Sequence, residues 1–415
     1  MTKKILTRFL LLGIGALLLA GLLYQIPRLN RRLSWRVDIA LTYLRGVIYP
    51  AEAVPTPRAQ IITPPITLTP SLTLTPTLTL EPNNTAILTL TNTPEPTPIP
   101  QQVYLAATGW EQQDWNNCGP ATLSMYLHYY GWEGDQFSVS NLLKPDRTDR
   151  NVNVEELAYY ARNYAGWLET QYRVNGDIEL LKEFVAAEIP VMIESSFYFA
   201  GAYWPNDDLW AAHYLLVSGY DDGAGVFTVQ DSYHGRDETL DYETLDEYWQ
   251  PFNRLYILIF DPTQEDAVRS ILGSAWDEET SRELALETNQ AALEEDSDDA
   301  FSWFNLGTNL LYFERYAEAA QAYDQARTLG LPQRMMRYQF GPFFAYFHSE
   351  RIDELLTLTE YALQRTPNSE EALLWHGWGL YRQGDINGAI TNFRSALKVN
   401  PNNLDAQYAL DFMTN

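Results

Sequence analysis

The segment WEQQDWNNCGPATLSMYLHYY, residues 110–130, decides how the middle of this chain folds. Apolar and aromatic residues in it recur at positions i, i+3, i+4 and i+7, which predicts a helix that starts near Pro120. These residues are Leu123, Tyr126, Leu127 and Tyr130. Cys118 therefore lies at a helix N-terminus, where the positive end of the helix dipole favours a thiolate over a thiol.

Beyond this helix the pattern changes from helical to extended. A second helix is predicted over 177–187, and Asp222-Gly223 is a typical hairpin turn between two apolar runs. The runs that predict strands are 190–193, 213–220, 226–230 and 256–260. Helices that precede a run of strands indicate an α+β domain, which we place at 101–262.

A hydrolase that uses a cysteine needs a base, a group that orients the base, and donors for the oxyanion. His213 opens one predicted strand and Asp231 ends the next, so a hairpin would bring the two side chains together. The backbone N–H of Cys118 is one oxyanion donor, and the side-chain amide of Gln112 is a natural second donor. Gln113 competes with Gln112 for that role.

These motifs resemble a known family of peptidases. The order Q-x5-C-G, then H-x followed by apolar residues, then a strand that ends in Asp is similar to the double-glycine-leader (bacteriocin-processing) peptidases of the papain-like superfamily. The resemblance implies Cys118 as nucleophile, His213 as general base and acid, Asp231 as the orienting residue and Gln112 as oxyanion donor. Ser232 stands where the family often has Pro, and the chain carries no transporter domain, so cleavage of leaders during export is not implied.

An aromatic-rich stretch, FYFAGAYWPNDDLW at 197–210, comes shortly before His213. Loops beside catalytic residues often shape the substrate pocket. We therefore expect Tyr203, Trp204 and Trp210 to bind substrate. The alternative is a hydrophobic flap that only covers the sheet.

The last third of the chain is helical and repetitive. Residues 303–332 and 373–401 resemble the tetratricopeptide repeat (TPR). Each has small residues at the positions where paired helices approach closely, and each ends in a proline. Residues 283–295 look like the second helix of a degenerate first repeat. About three repeats are therefore expected in an all-α solenoid, and such solenoids bind protein partners.

The N-terminal part predicts a different environment. Residues 9–26 are apolar and uncharged, long enough for a single transmembrane anchor, and they lack a good signal-peptide cleavage site. Residues 33–49 predict an amphipathic helix that lies on the membrane or packs on another element. Residues 54–100 form a Pro/Thr tract, which predicts an extended stalk on the order of 100 Å long.

Composition excludes several classes of function. The formal net charge is −26, so the surface repels nucleic acid. A single cysteine cannot form an internal disulfide or a thiolate zinc site, and only five histidines are present, so we expect neither a metal nor a cofactor.

Together these patterns predict a membrane-anchored papain-like thiol peptidase whose bulk lies outside the cytoplasm, bound to a peptide or protein substrate and, through its repeats, to a protein partner. The alternatives are an amidase or transpeptidase acting on cell-envelope peptides, and an inactive peptide-binding scaffold. The predicted segments are a basic tail (1–8), the anchor (9–26), a juxtamembrane amphipathic segment (27–53), the stalk (54–100), the peptidase domain (101–262), connecting helices or a degenerate repeat (263–298) and the repeats (299–415).

Overall fold

The computed structural model describes residues 12–15, 19, 21–22, 24, 27–50, 52–58 and 98–414. The basic tail, much of the predicted anchor at 9–26 and residues 59–97 of the predicted stalk lie outside this set. Within the described residues, no helix is both long enough and apolar enough to cross a bilayer. The predicted transmembrane helix therefore has no support from the structure. The first described helix, α1, spans Pro27–Ile48.

An α+β domain follows, as the sequence predicts. Its helices are α2 Cys118–Tyr129, α3 Gln136–Leu143, α4 Val154–Tyr164, α5 Ile178–Ala186 and α6 Tyr242–Trp249. Its strands are β1 Gln102–Tyr104, β2 Glu169–Arg173, β3 Val191–Tyr198, β4 Trp210–Asp221, β5 Val226–Asp231, β6 Gly235–Asp241 and β7 Tyr256–Phe260. They form one antiparallel sheet in the order β2-β7-β3-β4-β5-β6, and β1 pairs with the far end of β4.

The sheet is buried on both faces. On one face α2 and α4 pack through Leu123 and Leu157 against Leu216 of β4. On the other face α5 contributes Leu181 and Phe184 to a core that contains Val217. Because neighbouring residues of a strand point to opposite faces, the long apolar run in β4 serves both cores. The buried α2 brings its N-terminal end, and with it Cys118, close to the middle of β4.

The hairpin between β4 and β5 sets the register of the site. The turn predicted at Asp222-Gly223 is present, and Leu215 pairs with Asp231 across the two strands. His213 lies two residues before Leu215 and therefore on the same face of the sheet as Asp231. The register shifts between Val217 and Gly219, so the strands are not a regular ladder along their whole length.

The rest of the chain is a stack of helices. Their bounds are α7 Glu265–Leu272, α8 Glu278–Glu295, α9 Ala300–Tyr312, α10 Tyr316–Leu329, α11 Met335–Tyr338, α12 Gly341–His348, α13 Ile352–Arg365, α14 Glu370–Arg382, α15 Ile386–Val399 and α16 Leu404–Thr414. The predicted close approaches are present: a Cβ at Gly307 would lie 2.8 Å from the Tyr323 ring, and one at Gly377 would lie 2.5 Å from the Phe393 ring.

This helical region wraps against the sheet domain. Arg334 forms a buried bidentate ion pair with Asp207, with distances of 2.6 and 2.7 Å. Farther along, Asn400 donates to the backbone carbonyl of Leu143 at 2.9 Å. Polar contacts that are buried and geometrically specific fix one arrangement of the two parts. The solenoid is thus a part of the folded body that covers one side of the peptidase-like domain.

The N-terminal segment also belongs to this body. In α1, Asp38 pairs with Arg150 at 2.7 Å, and Gly46 lies against Trp204. Of the two alternatives for the amphipathic helix, packing on another element is the one observed. Val54 is only 3% exposed and joins the core of the helical region.

Pro50 lies along the helical region, and residues 52–58 form an extended strap on it. The backbone carbonyls of Pro50, Glu52 and Pro55 accept hydrogen bonds from side chains of α13 and α10. The donors are Arg365, Tyr361 and Arg327. The first residues of the predicted stalk, 54–58, therefore contact the helical region. Sequence pattern could not reveal this, because the contacts join residues about 300 positions apart.

Candidate active site

Cys118 is the first residue of α2, and a tightly held turn leads into it. Asn116 adopts a left-handed backbone conformation with φ of 56°, which asparagine tolerates better than most residues. Its carbonyl accepts a hydrogen bond from the buried Lys144 Nζ at 2.5 Å. Asn117 precedes the helix and donates from its side chain to Gln136 at 2.8 Å. These contacts fix the thiol at the helix N-terminus, as the sequence predicts.

His213 lies between Cys118 and Asp231. Its Nε2 is 2.8 Å from Asp231 Oδ1, and the imidazole is also hydrogen-bonded to the Cys118 thiol. Because Nε2 faces the carboxylate, Nδ1 is the ring nitrogen left for the sulfur. The predicted nucleophile, base and orienting residue therefore meet in one line, although they come from α2, β4 and β5.

The electrostatics of the three groups are mutually dependent. Burial by itself raises the pKa of Cys118, but the hydrogen bond and charge of His213, together with the charge of Lys144, lower it below the ordinary value overall. Burial lowers the pKa of His213, but the charge and hydrogen bond of Asp231 outweigh this and raise it to about 10. Despite burial, the pKa of Asp231 lies far below its usual range, chiefly because of His213. The arrangement favours a thiolate–imidazolium pair.

Asp231 is itself held in place by four hydrogen bonds. Besides His213, its carboxylate accepts the backbone N–H groups of Tyr233 and His234 at 2.7 and 2.9 Å. The second oxygen, Oδ2, is 2.7 Å from Nδ1 of His234. Sequence reasoning missed His234, which follows the strand end that carries Asp231. Its spacing of three residues after Asp231 was the available signal.

The two neighbouring glutamines occupy different environments. Gln112 is exposed, and only its backbone carbonyl is engaged, by the side chain of Gln136. Gln113 instead pairs with Ser232: its backbone N–H donates to the Ser232 carbonyl at 2.9 Å, and its Oε1 accepts the Ser232 hydroxyl at 2.9 Å. With Oε1 fixed in this way, the NH2 group is the part of the amide available to an oxyanion. Gln113 is thus the glutamine tied to the residue that follows Asp231, and the choice between Gln112 and Gln113 as oxyanion donor stays a prediction.

The aromatic stretch before His213 divides into two parts. Trp204 and Trp210 are each 2% exposed and lie in the interface with the helical region. Trp204 stacks under Arg334 at 4.1 Å, and Trp210 stacks on Phe252 at 5.8 Å. Packing against the solenoid leaves neither ring accessible, which argues against the predicted role of both indoles in substrate binding.

Tyr203 has a different position from these tryptophans. Its ring packs edge-on against Phe199 at 4.8 Å, and its hydroxyl is hydrogen-bonded to Tyr233. Tyr233 in turn lies 6.4 Å from the His213 ring, measured between centroids. Tyr203 thus belongs to an aromatic cluster that reaches the site, and its predicted role in substrate binding stays a prediction.

Comparisons with known proteins place two parts of the chain in known families. A family model described as the Peptidase_C39 like family matches residues 104–257, and a model of the TPR repeat matches 379–410. A search of curated proteins found no match.

Solved structures were compared as well. A C39-like peptidase from Bacillus anthracis is 18% identical, with 38% of this chain and 96% of that chain covered, at a TM-score of 0.30. YrrB, a TPR protein with an unusual peptide-binding site, is 23% identical. The match covers 35% of this chain and 71% of YrrB, at a TM-score of 0.29. MamA from Desulfovibrio magneticus RS-1 is 18% identical. The match covers 32% of this chain and 74% of MamA, at a TM-score of 0.30. By its family match, the chain contains a C39-like peptidase-family domain at residues 104–257, followed by a TPR region.

Proposed function

We propose that this chain is a thiol peptidase that hydrolyses amide bonds through an acyl-enzyme on Cys118. The observation that carries the proposal is the line of Cys118, His213 and Asp231, with 2.8 Å between His213 Nε2 and Asp231 Oδ1. A buried imidazole held by a carboxylate beside a helix-terminal thiol is the arrangement that activates a cysteine nucleophile.

The proposed reaction has two stages. The Cys118 thiolate attacks the carbonyl carbon, and the oxyanion is stabilised by the Cys118 backbone N–H and the side-chain amide of Gln113. The imidazolium of His213 then gives its proton to the leaving amine as the C–N bond breaks. In the second stage a water molecule, deprotonated by His213, attacks the thioester and restores the thiol.

The TPR region suggests a protein partner, and we propose that this partner binds surfaces of the solenoid that the sheet domain leaves uncovered.

We further propose, from the sequence of residues 9–26, that the chain is anchored in a membrane with its folded body outside the cytoplasm. Attack by an external protease on intact cells, compared with lysed cells, tests this orientation. Protection of residues 98–414 in intact cells, together with cleavage after lysis, would contradict it.

The test of catalysis is the rate at which iodoacetamide alkylates Cys118 as a function of pH. The chain has one cysteine, so no other thiol contributes. Because the pKa of Cys118 is lowered, its thiolate persists as pH falls below the ordinary thiol pKa. We expect the rate at pH 6 to stay within a few-fold of that at pH 9, whereas an ordinary thiol would lose about two orders of magnitude.

The matched variants are His213→Ala and His376→Ala. Both remove one imidazole, but His376 lies in the solenoid, where its Nδ1 is hydrogen-bonded to the hydroxyl of Thr359. His213→Ala should restore the pH profile of an ordinary thiol, and His376→Ala should not. Peptide hydrolysis should in addition decline above pH 10, since the imidazolium of His213 loses its proton there. An unperturbed thiol profile in the unaltered chain would refute the proposed function.

A further inference from the structure

A large cavity lies between the sheet domain and the solenoid, apart from Cys118. Its volume is about 1090 Å³, and its wall is formed by α4, β3 and β4 on one side and by α12 and α14 on the other. Tyr214 of β4 and Val152 contribute to the wall, and both also contact Gly119. The cavity therefore lies behind the helix that carries the nucleophile.

Carboxylates dominate the charge of this wall. They outnumber the guanidinium groups of Arg162 and Arg282 threefold. The carboxylates are Glu155, Glu156, Glu194, Glu370, Glu371 and Asp405. Two of them, Glu194 and Glu370, are only 5% and 3% exposed. Such groups are costly to bury unless a cation or enough hydrogen-bond donors compensate the charge.

Glu370 gives an independent sign that a partner is missing. Its Oε1 accepts a hydrogen bond from Asn400 at 3.0 Å, but its Oε2 is buried and has no hydrogen-bond partner among the described residues. Burial and the nearby Glu371 and Asp149 raise the pKa of Glu370 to about 9. In the same way, burial and Glu371 raise the pKa of Glu156 to about 8. A bound cation would relieve both the unpaired oxygen and the mutual repulsion.

The shape and lining of the cavity indicate which class of cation it would bind. Among the described residues, no three His, Cys, Asp or Glu side chains converge closely enough to hold a metal ion. The carboxylates are instead distributed along a wall that also contains Trp375, Phe344 and Tyr338. Aromatic faces attract organic ammonium groups, and separated carboxylates suit a ligand that carries more than one of them.

We propose that this cavity binds an alkylammonium ligand with two or more amines, paired with Glu370 and Glu194. Two sources share this chemistry, a free polyamine and the lysine side chains of a peptide. Spermidine and trilysine are the corresponding probes. The proposal is independent of catalysis, because binding is measured without turnover.

The experiment is isothermal titration calorimetry, in which the full chain is titrated with spermidine or trilysine. The titrations are repeated with Glu370→Gln and Glu194→Gln. We expect saturable one-site binding, weakened at least tenfold by either substitution. Because the raised pKa values keep both carboxyl groups largely protonated near neutral pH without a ligand, the unliganded variants should unfold at a temperature close to that of the original chain. Glu294→Gln, which alters an exposed glutamate, is the control and should change neither property.

Each result decides the proposal. Saturable binding of either probe that depends on Glu370 supports it, and the tighter probe identifies the source of the amine. Equal heats with MgCl2 at matched ionic strength would mean general screening of the acidic surface and would overturn it. Affinity unchanged in both Glu370→Gln and Glu194→Gln would overturn it as well. If Glu370→Gln fails to fold, Glu194→Gln alone carries the test.

Discussion

At the residue scale, the site depends on which of two adjacent side chains faces the nucleophile. Gln112 and Gln113 follow each other in an irregular loop, and consecutive residues in extended chain point in opposite directions. Gln113 is tied to Ser232, next to Asp231, through both its backbone and its side chain. Gln112 is exposed. The hydrogen bonds of Ser232 therefore fix the orientation of the Gln113 amide, and on this ground we propose it as the oxyanion donor.

This difference gives a prediction for Gln113→Ala. Removing an oxyanion donor should lower the rate of acyl-enzyme formation by about 10²-fold, since one such donor contributes 10²–10³ in typical hydrolases. The measurement is the burst of nitrophenolate from a p-nitrophenyl ester. Gln112→Ala is the matched control and should retain nearly the full burst rate.

Alkylation separates this role from a structural one. Attack of Cys118 on iodoacetamide forms no oxyanion, so Gln113→Ala should leave the alkylation rate nearly unchanged. A parallel loss in both reactions would mean that Gln113 only positions the loop. The opposite pattern, with the burst lost in Gln112→Ala, would restore the assignment expected from sequence.

At the scale of elements, the loop between β3 and β4 joins the sheet domain to the solenoid. Asp207 accepts the backbone N–H groups of Tyr203 and Leu209 and pairs with Arg334, whose side chain is 1% exposed. Arg334 also donates to the Trp210 carbonyl and lies over the Trp204 ring. One buried ion pair thus orders the loop and places both indoles in the interface.

We expect Asp207→Ala to lower the free energy of unfolding by about 3–5 kcal/mol, because it removes the bidentate partner of the buried Arg334 and leaves only the carboxylate of Asp208, 3.4 Å away. Urea denaturation of the full chain, followed by tryptophan fluorescence, measures the change. The exposed pair of Arg269 and Glu265 provides the control, and Glu265→Ala should cost less than about 1 kcal/mol. A small effect of Asp207→Ala, comparable to the control, would argue against a closed interface.

At the scale of the whole molecule, the Pro/Thr tract starts and ends on the same body. Arg58, just before residues 59–97, pairs with Asp353 and donates its backbone N–H to Glu354. Just after them, the Pro100 carbonyl accepts the Tyr220 hydroxyl at 2.5 Å. The tract therefore does not set the distance between α1 and the sheet domain, since α1 contacts that domain directly.

This arrangement predicts the outcome of cutting the tract. A site for a sequence-specific protease inserted between residues 77 and 78 should be cleaved without separating the fragments, because Val54 and Arg58 of the N-terminal fragment contact the helical region. Co-elution of both fragments in native size-exclusion chromatography checks this. Val54→Asp, which places a charge in the core contact of the strap, should release the N-terminal fragment. Immediate separation without that substitution would contradict the predicted attachment.

The sequence by itself determined the α+β domain, the helical repeats and three members of the candidate site, Cys118, His213 and Asp231. Each of these rests on a local signal: a helix start beside a thiol, a hairpin with a defined turn, and small residues at a fixed repeat. Local patterns survive folding because the interactions that they encode are between residues close in the chain.

Only the tertiary structure decided the rest. The contact of Gln113 with Ser232, the burial of Trp204 and Trp210, the attachment of residues 52–58 and the acidic cavity all depend on contacts between distant segments. An exposed aromatic loop and a buried one have the same composition, and a proline-containing strap has the composition of a stalk. What distinguishes them is the surface that each one meets, and that surface is made by residues far away in the sequence.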